Sequence, residues 1–345
     1  MQARGKKLCI IFGGTILGIA LIGGIMIKKQ SAAKIKQRDI KVGMTLYNAN
    51  DVFIKNTCDY LKEYIRELNE EKEMNIQFEA IDSKHSQELQ NRQIDTFIKE
   101  EYDIIIANTV EREEASTIID KAQLAGIPLI FFNREPVPQD MQKWDKIYYV
   151  GSSAQQAGTL QGEILAGAIE KGLEVDKNKD GKLQYVMIEG EYGHQDAILR
   201  TYHCIRELEG RGFIMENLAT DTGMWRKEKG KDKMTEWLNI YGDQIEVVMA
   251  NNDEMALGAI EALKAYGYFK DGKTIPVVGV DGISEAIEAI EKGEMIGTVF
   301  NDSAEQARCI VSKIYELITG ERDGYPVETE EEANYFWVDH KKMTK

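Results

Sequence analysis

The feature that most constrains this chain is the repeated pairing of a short, apolar, β-prone run with a longer segment of helical period. Lys41 to Tyr47 (KVGMTLY) reads as a buried strand, and Val52 to about Glu70 as an amphipathic helix. Further strands are predicted at Asn75 to Ile81, Ile104 to Asn108, Pro128 to Asn133, Ile147 to Gly151, Leu183 to Ile188, Glu246 to Ala250, Ile275 to Val280 and Thr298 to Phe300. Segments such as Gln161 to Lys171 and Met255 to Ala265 supply helices between them. This alternation implies an α/β fold of doubly wound parallel sheets with helices on both faces. A chain of 345 residues is too long for one ordinary core and suits two such lobes.

In parallel sheets ligands bind outside the carboxyl ends of the strands, so the residues just after each strand are the first candidates for function. They read Asn50-Asp51, Asn108, Asn133-Arg134-Glu135, His194 and Asp196, Asn251-Asn252-Asp253, Asp281 and Asn301-Asp302, with Phe53 and Trp225 as nearby aromatics. Any one such position is ordinary for a solvated turn, but a nearly unbroken series is not. Carboxylates, amides and imidazole saturate the hydroxyls of a sugar, and an aromatic plane covers each weakly apolar ring face. The residues do not compose an enzyme. His194 and Asp196 are the sole His/carboxylate neighbours at strand ends, their spacing fixes no relay, and no phosphate-binding GxxxxGK[ST] occurs. A formal charge of −15 argues against nucleic acid as a partner.

From Leu8 to Ile27 every residue is apolar or uncharged, a run of about 30 Å as a helix, enough to cross a bilayer core. Arg4, Lys6 and Lys7 flank it as in a signal peptide, while its length suits an uncleaved anchor; Ser31-Ala32-Ala33 offers a cleavage site. Either outcome exports the body, with the membrane touched only through this segment and a tether to residue 38. Cys9, Cys58, Cys204 and Cys309 form no disulfide framework or thiolate metal site by spacing.

One motif is sharper. Asp176-Lys177-Asn178-Lys179-Asp180-Gly181-Lys182-Leu183-Gln184 places oxygen side chains at loop positions one, three, five and nine, a glycine at six and the Lys182 carbonyl at seven, the spacing of an EF-hand calcium loop. Position twelve is Met187, so a distant carboxylate must complete the shell.

From Lys41 to about Met343 the chain resembles the periplasmic galactose/glucose-binding proteins of bacterial sugar uptake systems, through blocks such as KVGMTLYNANDVF, IPLIFFNREP, DKNKDGKLQYV, GEYGHQDA, DTGMWRKEKGKDKM and IPVVGVDGISEA. The resemblance implies a type I binding-protein fold with three hinge crossings, near Tyr149 to Ser152, Phe300 to Asp302 and Phe336 to Val338. The N-lobe is then 39–150 plus 302–336, and the C-lobe 151–301 plus 337–345. It implies sugar contacts from Asp51, Phe53 and Asn108 in the first lobe, and from His194, Asp196, Arg200, Trp225, Asn252, Asp281 and Asn301 in the second lobe and hinge. It makes Glu246 the missing ligand of a structural Ca2+ held with Asp176, Asn178, Asp180, Lys182 and Gln184. Tyr192 and Gln195 depart from the family, which places prolines around the histidine. The implied function is capture of D-galactose or D-glucose by a monomer and delivery to an ABC sugar permease. The alternative is a membrane-held sensor reporting to a chemoreceptor or kinase.

Overall fold

The computed structural model describes residues 38–324 and 334–345; the predicted membrane run 8–27 lies outside them. Among the described residues no helix is long and apolar enough to cross a membrane. The strands are β1 (Asp39–Leu46), β2 (Asn75–Asp82), β3 (Ile104–Ala107), β4 (Leu129–Phe132), β5 (Ile147–Gly151), β6 (Leu183–Glu189), β7 (Met215–Thr222), β8 (Val247–Ala250), β9 (Val277–Asp281), β10 (Gly297–Phe300), β11 (Tyr335–Trp337) and β12 (Lys341–Thr344). They form two sheets, ordered β11-β5-β4-β3-β1-β2 and β12-β10-β9-β8-β6-β7. Every pairing is parallel except β10 with β12.

The strand residues explain why both faces must be covered. Along β3, Ile104 and Ile106 enter one apolar cluster while Ile105 and Ala107 enter another on the opposite face. In β8, Val248 and Ala250 separate from Val247 and Met249 in the same way. Each fully buried aliphatic side chain contributes about 1.5–3 kcal/mol, so a sheet with apolar residues on both faces is stable only between helix layers. Helices Val52–Lys72 and Ser303–Thr319 cover one face of the first sheet, placing residues far apart in sequence in one core.

Four elements differ from the sequence expectation. The helix expected from Gln161 begins at Ala154, capped by the Ser153 hydroxyl. Its first turns are rich in small residues, which weakens the apolar period. The reason is close packing: a Cβ on Gly158 would lie 2.4 Å from the Arg200 carbonyl oxygen of the neighbouring helix. Strand β7 was not predicted because it is a half-exposed edge with little apolar alternation. Strands β11 and β12 are too short, at three and four residues, to show a period.

Among the described residues the chain passes between the sheets three times, after β5, after β10 and between β11 and β12. Strands β5 and β11 run on to Gly151 and Trp337, one residue past the expected lobe boundaries. The crossings are tied together. Gln306 Nε2 donates to Ser152 Oγ at 3.0 Å and to Asn301 Oδ1 at 2.8 Å, and the Val338 amide donates to the Gly151 carbonyl at 2.8 Å.

His340 sits beside the third crossing, buried, with its amide donating to Gln156 Oε1 at 2.9 Å. Burial, with a further push from Arg200, lowers its imidazole to about 3. The unfolded chain binds this proton near pH 6.5 and the folded chain does not, so the stability it contributes is present above pH 6.5 and is lost as pH falls towards 3. Between pH 7 and pH 5 the native protein is expected to lose about 2 kcal/mol more stability than His340→Gln. Chemical denaturation at the two pH values measures this, and equal losses would show that His340 titrates normally.

Candidate functional site

The strand order of each sheet reverses direction between β1 and β3 and between β6 and β8, the position where doubly wound sheets hold ligands. Residues at or after the carboxyl ends of β1, β4, β6, β7, β8 and β9 meet across the lobes in one narrow cavity. Eight of the ten expected sugar contacts line it: Asp51 and Phe53 from the first lobe, and His194, Asp196, Arg200, Trp225, Asn252 and Asp281 from the second.

Helix capping positions three of these groups. Asp51 caps Val52–Lys72, its Oδ1 accepting from the Ile54 amide at 3.0 Å, while Oδ2 accepts from the Tyr47 hydroxyl. His194 caps Gln195–Gly210, its Nδ1 accepting from the Asp196 amide at 3.1 Å. Burial, reinforced by Arg134 and Arg200, holds the imidazole well below its ordinary pKa. A neutral ring that accepts at Nδ1 carries its proton on Nε2, so the second ring nitrogen is a donor. Asn252 caps Asp253–Tyr266 through Oδ1 at 3.1 Å from the Met255 amide, and its Nδ2 donates to the Trp225 carbonyl at 3.2 Å.

Arg200 organises the second-lobe wall. It is 5% exposed, donates Nη1 to the Asn251 carbonyl at 2.8 Å, and lies 3.5 Å from Asp196 Oδ2 and 4.0 Å from Asp281 Oδ1. Its buried Nε has no protein partner. Burial raises the pKa of both Asp196 and Asp281, and the Arg200 charge opposes that rise. The wall therefore combines loosely paired carboxylates with a guanidinium whose buried Nε is unpartnered, a polar surface suited to a ligand with several hydroxyls.

Trp225 is held by shape. Residues Met224 and Trp225 both adopt positive φ, at 53° and 58°, and amides 223 and 224 donate to the Glu189 and Gly190 carbonyls. The indole meets the His194 ring edge-on at 5.2 Å and lies across Gly190, where a Cβ would stand 2.0 Å from the ring.

Two expected contacts do not reach the cavity wall. Asn108 is fully buried between strands, accepting from the Tyr47 amide at 3.3 Å and donating to the Phe132 carbonyl at 3.2 Å. Asn301 accepts from Gln306 at the hinge. Both support the walls. Asp253, of the strand-end set, is likewise buried behind the site, accepting from amides 282 and 283 and from Thr298 Oγ1, and burial raises its pKa to about 7. It shapes the turn that presents Asp281. Tyr47, Ile54, Asn133 and Arg134 line the cavity and were not among the expected contacts. Tyr47 reads as a strand residue in sequence, whereas Asn133 and Arg134 already stood in the polar strand-end set.

The calcium-type loop closes on itself. Asp176 accepts from amides 180 and 181, Asn178 Oδ1 from amide 180, and Asp180 Oδ1 from amide 182. Glu246, 1% exposed, accepts from amides 177 and 184, so the distant carboxylate lies against both ends of the loop. The side-chain nitrogens of Asn178 and Gln184 turn towards Asp180. Among the described residues His, Cys, Asp and Glu side chains nowhere gather in threes as a metal site. A calcium shell, however, draws on amide and main-chain oxygens as well as carboxylates, and this donor set fits it.

Residues 42–322 match the periplasmic binding protein domain family, and the chain belongs to that family. It is 37% identical over 293 residues to the D-galactose/methyl-galactoside binding periplasmic protein MglB of Haemophilus influenzae, spanning 84% of this chain and 85% of that protein. It is 28% identical to the xylitol-binding protein of Mycolicibacterium smegmatis over 81% of this chain and 73% of that protein. An ABC transporter solute-binding protein of Bacillus halodurans with bound myo-inositol superposes with a TM-score of 0.72 at 28% identity, covering 89% of this chain and 94% of that one. The two α/β lobes are the type I binding-protein fold, and the chain is a solute-binding protein, not an enzyme.

Because the indole occupies the space a Cβ would need, Gly190→Ala is expected to displace Trp225. Tryptophan emission should shift, and affinity for the captured solute should fall about tenfold or more. An unchanged spectrum and unchanged affinity would show that the indole does not form the wall.

Proposed function

We propose that this protein captures a D-hexose, galactose or glucose, in the cleft between its lobes on the outer side of the cytoplasmic membrane and delivers it to an ABC sugar permease. The observation that carries the reading is the wall around Arg200. A buried guanidinium with an unpartnered Nε stands beside two carboxylates and a neutral histidine donor, with Asp51 opposite and Phe53 and Trp225 as aromatic surfaces. The 37% identity to a galactoside-binding protein favours a hexose. The myo-inositol and xylitol of the other relatives favour, as second reading, an uncharged polyol, which offers the same hydroxyl pattern. A ligand that touches both lobes binds the closed form better than the open one, and closure is the signal a permease can read.

Calorimetric titration with glucose, galactose, methyl-galactoside, ribose, xylitol and myo-inositol separates the readings. Binding of a hexose well ahead of the polyols is expected, and the reverse order would overturn the hexose assignment. Asp51→Ala should weaken glucose and galactose together by about 1.5–3 kcal/mol, because one carboxylate can accept from either epimer's hydroxyl. A loss confined to one sugar would contradict that shared role.

The loop 176–184 with Glu246 is the proposed structural Ca2+ site. Asp176 and Asp180 lie in the loop and Glu246 accepts from amides at both of its ends, and an ion bound only by the folded state stabilises it by about 2.7 kcal/mol at a hundredfold excess over Kd. Chelation should lower the melting temperature and leave a folded, sugar-binding protein at room temperature, with Glu246→Gln imitating it. A melting curve indifferent to both would mark the loop as a surface turn.

A further inference from the structure

Several polar contacts cross between the lobes beside the sugar cavity, made on the second lobe by residues outside its lining. Arg134, in the turn after β4, is 7% exposed, lies with its guanidinium carbon 3.7 Å from the Tyr47 ring centroid, and donates Nη1 to the Val110 carbonyl at 2.8 Å. The first lobe therefore holds this charge in place unaided. Its Nη2 reaches across to Glu191 Oε2, in the turn after β6 of the second lobe, at 2.9 Å. Glu191 Oε1 also lies 3.8 Å from His85 Nδ1 of the first lobe. Beside this pair Gln195 Nε2 of the second lobe donates to Glu135 Oε2 of the first at 2.9 Å.

We propose that Glu191 and Gln195 form a sugar-independent latch that sets how much of the protein is closed before sugar arrives, and that they are positioning residues for capture. Neither lines the cavity where Asp51, Phe53, Trp225, Asn252 and Asp281 meet; both line the adjoining one, which shares Arg134, His194 and Asp196 with it. Their bonds form in the closed arrangement whether or not a ligand is present, so they shift the open–closed equilibrium and leave the contacts to the ligand unchanged. Apparent Kd is the Kd of the competent state divided by its population, so a weaker latch raises Kd for every ligand by one common factor. A residue that touches the sugar changes different sugars by different factors. Partial burial also makes the Arg134–Glu191 pair less sensitive to screening than a surface ion pair.

The inference rests on the cleft being a sugar site, and its test separates the two. In the full chain, Glu191→Gln and Gln195→Ala are compared with the native protein by calorimetry with D-glucose and D-galactose, and by small-angle scattering without sugar. The latch predicts a loss of affinity of about tenfold for Glu191→Gln, less for Gln195→Ala, and the same factor for both sugars. It also predicts a larger radius of gyration for the sugar-free variants, which the added sugar brings back to the native value. Unequal factors for the two sugars would make these residues sugar contacts and overturn the latch. Unchanged sugar-free scattering would overturn it as well, even if the native protein bound neither sugar, the outcome that sinks the hexose reading instead. An unaltered far-UV spectrum and melting temperature exclude misfolding as the cause of a loss, and Gln195→Ala keeps the test open should Glu191→Gln fail to fold.

Discussion

Each parallel strand that ends in the cleft is followed by a helix, and the first turn of that helix carries amide groups that must find acceptors. This requirement organises the site. Asp51, His194 and Asn252 are N-caps first, and capping fixes their side chains before any ligand arrives. Each then has an atom left over: an oxygen of Asp51 shared with Tyr47, the Nε2 proton of His194, and the Asn252 amide that holds the Trp225 turn. Rigid side chains lose little freedom on binding, so the capping bonds contribute to affinity by preorganisation.

The second consequence of the cleft is a concentration of buried charge. Taking Arg200, Asp196 and Asp281 out of water costs several kcal/mol per ion unless partners compensate. The structure compensates only partly, with long ion-pair distances and an unpartnered guanidinium nitrogen. Incomplete compensation is a stability defect in an isolated lobe and an asset in a binding site, because a ligand that supplies the missing hydrogen bonds is favoured over water. The same balance separates the cleft from the loop at 176–184, where the carboxylates already accept from backbone amides and sit far along the chain from the hinge.

The hinge converts binding into shape. All three crossings meet in one small area, bonded to each other through Gln306 and Val338, so the lobes are linked by short segments that can turn without disturbing either core. Contacts across the cleft at the cavity's edge, from Arg134 and Glu135 to Glu191 and Gln195, act on the same motion from the far side. The recognition surface and the moving parts are thus adjacent but chemically separate.

Much of this was legible in the sequence, and the reason is physical. A parallel strand buried on both faces must be a continuous apolar run, as in Ile104–Ala107 or Val247–Ala250, and its carboxyl end must be followed by a polar cap, so strands and candidate ligand residues announce themselves together. The alternation was enough for the fold class, and the strand-end set contained most of the cavity wall; the resemblance added Arg200, which lies inside a helix. Other features depended on tertiary structure because no local pattern encodes them. The edge strand β7 and the short β11 and β12 carry too little apolar periodicity. The early start of helix Ala154–Glu170 is masked by small residues chosen for a neighbouring helix. Asn108, Asn301 and Asp253 read like ligand residues yet serve as internal braces, while Tyr47 reads like a strand residue yet lines the cavity. Sequence determines which side chains arrive at the strand ends; which of them face the cleft depends on how the two sheets are set against each other, and that is decided by contacts between residues far apart along the chain.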